Sequence, residues 1–562
     1  MTKINVKIAI LMVLFTGMIN SGFSQDFLMN SLKDELNYQT DKYKDNADKP
    51  YFLQFNVKEV TSNNMRFSFG SIISNDLKRV RFFVPEVRIG DYKLDNTHVD
   101  ESNPYGKLLS LWSQPQILTI EDSIYQISKT IRKSVDNAYE NALETFKQNK
   151  KVYTEKVTKA DRDDFTKENP NVFYEAPATI NFNKSEWENN LKEFTGIFAG
   201  ADYIERAEGE FEYTCMRSYI INTEGSMVVQ NSFYAQITIA LLIKCSDDNV
   251  VPLIKTFFAF TPEGLPNKDE LKKVGNELKE MALQLKDAPT AESYSGPCIL
   301  SATTSGVFFH EIFGHRIEGH RMNSKIDAQT LKNKIGDEIL PDFINISFDP
   351  TIRNYEGRDL YGYYKFDDQA VNAQKVEIVK NGKLLKFLMC RTPIDSIHTS
   401  NGHGRSLTGA NAVSRQSNMF VESSKSSTDS ELKEQLIKLC KKQKLKYGYY
   451  FKEVIGGFTS TSSTQPNVIS IIPIIVYKVY VDGRPDELVK GVSLIGTPLN
   501  MFSEIIQVGN EKAVFNGLCG AESGDIPVST ISPAILVSKI ETQKMLEMKN
   551  ETKQIVRPDL IK

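Results

Sequence analysis

Six residues, His310-Glu311-Ile312-Phe313-Gly314-His315, constrain this chain more than any other stretch. They gather two imidazoles and a carboxylate in a protein with only 6 histidines, and a third, His320, follows shortly after. Two neutral imidazoles can hold a zinc ion, and an adjacent Glu can take a proton from water on that metal. Zinc-binding helices usually space such histidines at i and i+4, on one face. Here the spacing is i and i+5. At about 100° per residue these positions point about 140° apart, so an ideal helix cannot aim both at one ion. The segment, read as a helix over roughly residues 303–321, must therefore depart from regular geometry between them. A one-residue π-bulge would bring the two rings together, and Gly314 relaxes the backbone where it is needed. Two helix histidines with a chance Glu between them are the plain alternative.

Residues 1–24 read as an address. Lys3 and Lys7 make a basic start, residues 8–19 form an apolar run, and Gly22-Phe23-Ser24 puts small residues where a signal peptidase cuts. The run is shorter than the roughly 20 residues of a membrane-spanning helix. The expectation is a secretory signal peptide cleaved near Ser24 and an exported protein, periplasmic or secreted, without a stable membrane anchor. The net charge of −3 offers no broad electrostatic footprint for nucleic acid, so none is expected as a partner. Cys215, Cys245, Cys298, Cys390, Cys440 and Cys519 are scattered without close pairs, which is no disulfide framework.

The rest of the chain divides near residue 290, where a tract rich in small and turn residues precedes Gly296-Pro297. Residues 25–289 read as an N-terminal mixed α/β domain. Strands are expected at 52–57, 65–70 and 79–89, with Pro85 marking an edge or a break. A long helix carries Ile124, Ile127, Ile131, Ala138 and Ala142 on one stripe, and the charged tract 147–167 reads as solvated helix and loop. Strands return over 210–260, with a turn near residues 222–225. Leu271, Val274, Leu278, Met281 and Leu285 step by 3 and 4 along a core-facing helix. Residues 290–562 read as a C-terminal, largely antiparallel β-rich domain carrying the motif helix, so the fold class is α+β. Asn381-Gly382 supplies the two positive-φ residues of a type I′ hairpin turn. Residues 396–418 lack apolar periodicity, a helix covers about 429–445, and strands follow around 468–481 and 488–494.

A catalytic zinc site usually has three protein ligands. Glu318 and His320 are near in sequence, while Cys519 is far away in Asn516-Gly-Leu-Cys-Gly-Ala-Glu-Ser-Gly. Glycines 517 and 520 would let a loop there approach a metal closely, and a thiolate with two imidazoles suits zinc. The spacing leaves all three open, along with a metzincin-like arrangement of His310, His315 and His320. His403, in Asn401-Gly-His-Gly-Arg405, sits in a glycine-rich loop, either facing a substrate channel or simply exposed. Asp367 and Asp368 suit turn capping as well as substrate contact.

At this point the chain resembles the TldD/PmbA metallopeptidases, on their TldD-like catalytic side. The resemblance rests on His310-Glu-Ile-Phe-Gly-His-Arg-Ile-Glu-Gly, Phe366-Asp-Asp-Gln-Ala, Gly491-Val-Ser-Leu-Ile-Gly-Thr-Pro-Leu, Gly517-Leu-Cys-Gly and Ile526-Pro-Val-Ser, with Val87-Arg-Ile-Gly-Asp-Tyr in the N-terminal half. It implies zinc bound by His310, His315 and Cys519, with Glu311 as general base. It further implies hydrolysis of unfolded or short peptides by zinc-bound water, and a homodimer or a heterodimer with a PmbA-like subunit. Two departures stand out. Glu318-Gly319-His320 has an imidazole where the family often has Asp, and well-known members lack a signal peptide. A non-catalytic partner or scaffold subunit is the competing class, and retention of Glu311 argues against it.

Overall fold

Long strand pairs organise the first half of the molecule. The computed structural model describes residues 23, 26–98, 115–155, 162–324, 327, 329–407, 410–463, 469–496 and 498–544; of the expected signal peptide only Phe23 falls among them. Helix α1 (Phe27–Tyr43) leads into β1 (Pro50–Ser68) and β2 (Ser71–Ile89). Then come β3 (Gln116–Leu118), α2 (Ile124–Glu155), β4 (Val172–Tyr174) and α3 (Lys184–Gly196). β5 (Ile204–Asn222), β6 (Met227–Lys244), β7 (Val250–Ala259) and α4 (Lys268–Asp287) complete this half. The strands make one sheet in the order β3-β2-β1-β5-β6-β4, with β7 also on β6, and only β4 is parallel to its neighbour.

The expected strands at 52–57 and 65–70 are one strand. Thr61-Ser-Asn-Asn between them is polar, yet β2 and β5 pair with β1 straight through it, Asn63 lying opposite both Leu77 and Tyr213. Ladder hydrogen bonds come from the backbone, so paired neighbours on both sides carry a strand across a polar tract. Phe69 and Gly70, both at positive φ, form the turn. Pro85 lies beyond the short β3 pairing (Arg81–Phe83), where the outer edge of β2 has no partner among the described residues. On α2 the buried stripe is Ile127, Ile131, Val135, Ala142 and Phe146, while Ile124, in the first turn, is exposed. On α4, Leu271, Leu278 and Leu285 are buried as the periodicity requires, and Asn267 and Glu270 close a capping box at its start.

The second half begins with β8 (Tyr294–Leu300) and the motif helix α5 (Ala302–Ile312). There follow β9 (Ile344–Phe348), the two-residue pair β10 (Asn354–Tyr355) and β11 (Arg358–Asp359), and the hairpin β12 (Val376–Lys380) and β13 (Lys383–Leu384). Asn381 and Gly382 have the positive φ that their turn demands. Among the described residues the aperiodic stretch 396–418 holds the two-residue β14 (Gly404–Arg405) and β15 (Val413–Ser414) before β16 (Asn418–Ser423) and α6 (Asp429–Lys442). The last elements are β17 (Tyr447–Thr459), β18 (Ile469–Tyr480), β19 (Glu487–Val489), β20 (Val492–Gly496), α7 (Pro498–Ser503), β21 (Ile505–Ala521) and β22 (Gly524–Lys544).

Eleven of these strands form a second sheet, antiparallel except where β16 meets β22 and β17 meets β8. β22 pairs with both β20 and β8, so the path β22-β20-β18-β17-β8 closes on itself. Helix α5 packs against β17 and β18 and also against β21 and β22. Every residue from Thr304 to Ile312 is buried, and Phe308, Phe309 and Ile312 share a core with Phe451, Ile471 and Ile535. A helix covered on all sides is held rigidly, and this one carries the first half of the histidine motif. Among the described residues no helix is long and apolar enough to cross a membrane.

Candidate metal centre

Ser301 starts α5, its Oγ accepting the Thr304 N–H at 3.1 Å. The helix then stops at Ile312, and a tight 3₁₀ turn, Gly314–Arg316, carries His315. This corrects two expectations, the continuous helix over 303–321 and the π-bulge within it. A helix stop in place of a bulge swings the second imidazole round, and the two rings lie 5.2 Å apart at 76°. Gly314 is needed for a steric reason: a Cβ there would fall 1.9 Å from Gln416 Oε1. Arg316 Nη1 donates to the carbonyls of Glu311 (2.9 Å) and Ile312 (3.0 Å), satisfying the open end of the helix.

The structure brings His310, His315 and Cys519 together. One donor atom from each lies within 4.8 Å of the others, and all three residues are buried. Cys519 Sγ is 3.6 Å from His315 Nε2. Cys519 does not sit on a loop, as expected, but on β21, opposite Ile526 in the hairpin with β22. Strand pairing therefore presents the sulfur, and Gly517 faces its neighbour Phe515 while Gly520 faces Asp525. Glu311 is buried beside the cluster, against Gly457 of β17, where a Cβ would lie 2.5 Å from Glu311 Cγ. Its carboxylate accepts no hydrogen bond from the described residues.

The other sequence candidates turn elsewhere. Glu318 accepts from His315 Nδ1 at 3.2 Å, and His320 Nε2 bonds Glu522. His403 is neither exposed nor aimed into a channel. It is fully buried, with Nδ1 donating to Asn401 O (2.9 Å) and Nε2 accepting from Ser417 Oγ (3.0 Å). Asp367 accepts the backbone N–H groups of Gln369, Val371 and Gly404, and Asp368 pairs with Lys58 of β1 at 2.8 Å, so both act as turn and tether residues.

Sequence reasoning missed the charged shell behind these donors. Arg415, fully buried, donates from Nη2 to Cys519 Sγ at 3.3 Å, and its Nε is 3.3 Å from Glu318 Oε1. Arg321 pairs with Glu318 (2.8 Å) and Glu522 (2.9 Å). Glu522, three residues past Cys519, carried a faint signal; Arg415, in the aperiodic stretch, carried none.

The donor set fits a soft divalent cation such as zinc. Burial alone would raise the Cys519 thiol, but His315, His310 and Arg415 outweigh it and hold the thiol well below its ordinary value. Burial would likewise lower His315, yet the thiolate and Glu318 push it up to about 10. A buried anionic sulfur that retains protons on its neighbours is a pocket that demands positive charge.

Together these features define an α+β protein whose second sheet closes around a helix bearing an imidazole–thiolate centre. Residues 293–544 match the PmbA/TldA metallopeptidase C-terminal domain, so this part of the chain is of the TldD/PmbA kind. A "Metalloprotease" of Archaeoglobus fulgidus is 26% identical over 260 residues, 46% of this chain and 56% of that protein. The "Zinc metalloprotease TldD homolog" of Saccharolobus solfataricus is 26% identical over 274 residues, 48% of this chain and 56% of the relative. The chain thus spans about half the length of the curated relatives it matches. Over the whole fold, TldE from Thermococcus kodakarensis superposes with a TM-score of 0.61 at 12% identity, covering 91% of this chain and 100% of that one. A Thermotoga maritima protein, a candidate modulator of a DNA gyrase by name, gives 0.60 at 16% identity over the same shares.

Proposed function

We propose that the chain is a zinc-dependent peptidase that cuts unfolded or short peptides, with His310, His315 and Cys519 as metal ligands and Glu311 as general base. The observation that carries this reading is the convergence of three buried donors beside a buried carboxylate that accepts no hydrogen bond from the described residues. When bound, zinc supplies Lewis acidity that polarises a carbonyl and acidifies water. Glu311 is placed to accept the proton so released and to pass it to the departing amine. Gly457 leaves it room, and the covered helix α5 keeps its backbone fixed. Among the described residues β17 pairs with β8 over Tyr449–Phe451 alone, and its continuation past Glu453 is the edge proposed for an extended substrate. A peptide lying there is held by main-chain bonds that read little sequence. The protein works outside the cytoplasm after cleavage near Ser24, as a homodimer or beside a PmbA-like subunit.

Metal analysis of wild type, His310→Ala and Cys519→Ala tests the ligand set, with zinc expected in wild type and lost in both variants. Glu311→Gln separates a catalyst from a scaffold: metal and fold stay while peptide cleavage disappears. Cleavage surviving in Glu311→Gln sinks the assignment of the base. Zinc kept in Cys519→Ala sinks the assignment of the third ligand.

A further inference from the structure

We infer that Glu318 and Arg415 are positioning residues that form a single buried brace, presenting His315 and Cys519 to the metal; this rests on the metal reading above. Both side chains are wholly inaccessible to solvent. Glu318 Oε2 accepts from His315 Nδ1 at 3.2 Å, which fixes the tautomer whose free Nε2 faces Cys519. The other carboxylate oxygen is 3.3 Å from Arg415 Nε. Arg415 Nη2 then donates to the sulfur of Cys519 at 3.3 Å and also to the carbonyl of the same residue. The contacts His315–Glu318–Arg415–Cys519 therefore link two donors that are 204 residues apart in sequence.

The brace also holds the hairpin tip beyond Cys519. Arg415 Nη1 donates to Ser523 Oγ at 2.7 Å and to the Gly524 carbonyl at 2.9 Å. Arg321 bonds Glu318 at 2.8 Å and Glu522 at 2.9 Å, so the two carboxylates meet two guanidiniums. The Arg415 guanidinium meets Glu318 as an ion pair through Nε and Cys519 as a hydrogen-bond donor through Nη2, whereas a Lys ammonium is a point charge and serves one of them. The N–H···S bond has a chemical consequence as well. It draws electron density from the thiolate, so the sulfur donates less to the metal and the metal stays the stronger Lewis acid.

The test uses the full chain as wild type, Cys519→Ala, Arg415→Lys, Arg415→Met, Glu318→Gln and Glu318→Ala. Zinc affinity is read by competition with a chromophoric chelator, and the cobalt(II)-loaded protein gives the thiolate-to-metal charge-transfer band. Thermal melts followed by circular dichroism report folding. Wild-type zinc binding that disappears in Cys519→Ala establishes the metal reading itself; its failure removes that reading and is seen before any brace variant is compared. With that in place, Arg415→Lys and Glu318→Ala should each weaken zinc binding about 10- to 100-fold, the usual cost of losing an outer-shell partner. Glu318→Gln, whose amide oxygen still accepts from Nδ1, should fall between them and wild type. The cobalt band in Arg415→Met should move to lower energy, which a purely structural arginine would not cause. Zinc affinity within about twofold of wild type in both Arg415→Lys and Glu318→Ala overturns the brace, as does a cobalt band unmoved in Arg415→Met.

Discussion

Gly457→Ala is the most direct probe of how Glu311 is placed. The glycine lies within β17 and has no positive φ, so alanine meets no backbone strain there. The new Cβ would stand 2.5 Å from Glu311 Cγ and 3.0 Å from its Cδ, whereas an ordinary contact begins near 3.4 Å. The carboxylate must retreat by about 1 Å, and a misplacement of that size costs on the order of 100-fold in rate, about 2.7 kcal/mol in the barrier. Overpacking lowers stability by about 1–3 kcal/mol at most sites, partly offset by the entropy alanine saves relative to glycine. Gly456→Ala is the matched control, because nothing lies within 4 Å of the Cβ it would add. The assay is kcat/KM on an unfolded peptide, with zinc content measured on the same samples. Gly457→Ala should keep its zinc and lose most of its turnover, while Gly456→Ala keeps both. Equal turnover in the two variants would refute the claim that the space at residue 457 sets the position of the base.

Gly314→Ala drives a Cβ to within 1.9 Å of Gln416 Oε1, so it should lower stability by about 1–3 kcal/mol and weaken zinc binding together; urea denaturation paired with metal analysis checks both. Burial holds the His403 imidazole down at about 3, so it is neutral in the folded chain while the unfolded one protonates near 6.5. Its contribution is fully present above pH 6.5 and is lost towards pH 3 at about 1.4 kcal/mol per pH unit, or about 2 kcal/mol by pH 5. Urea denaturation at pH 7 and pH 5 should show that loss in wild type, and His403→Gln should show less of it; equal losses in the two proteins refute the assignment. Chelation should lower the melting temperature of wild type and leave that of Cys519→Ala unchanged, since only a protein that binds metal gains stability from it.

What could be read in advance was local. Asn381-Gly382 needs nothing beyond its own two residues to set a hairpin turn, and the stripe Leu271, Leu278 and Leu285 declares which side of α4 is covered. The failures were all at long range. The polar tract in β1 reads as a break until β2 and β5 are seen on either side of it. The closure of the second sheet depends on Leu536 meeting Ile299, a pairing that no periodicity announces. At the site, spacing alone showed that His310 and His315 could not share a regular helix, but it could not choose between a bulge and a stop. What Gln416 does dictate is the residue type at 314, because it occupies the space a Cβ there would need. The sequence reading brought Cys519 to the histidines on a loop, whereas strand pairing in β21 brings it there. Arg415 was invisible because a buried arginine in an aperiodic stretch looks like any exposed one until its partners are located.

The separation of 204 residues between His315 and Cys519 also has a meaning in time. At about 5–20 residues per second, a ribosome needs about 10–40 s to go from one donor to the other. Throughout that interval the nascent chain has two imidazoles and a carboxylate without the sulfur that completes them. Under the proposed ligand set, capture of a metal by all three donors has to wait until β21 has been made and paired.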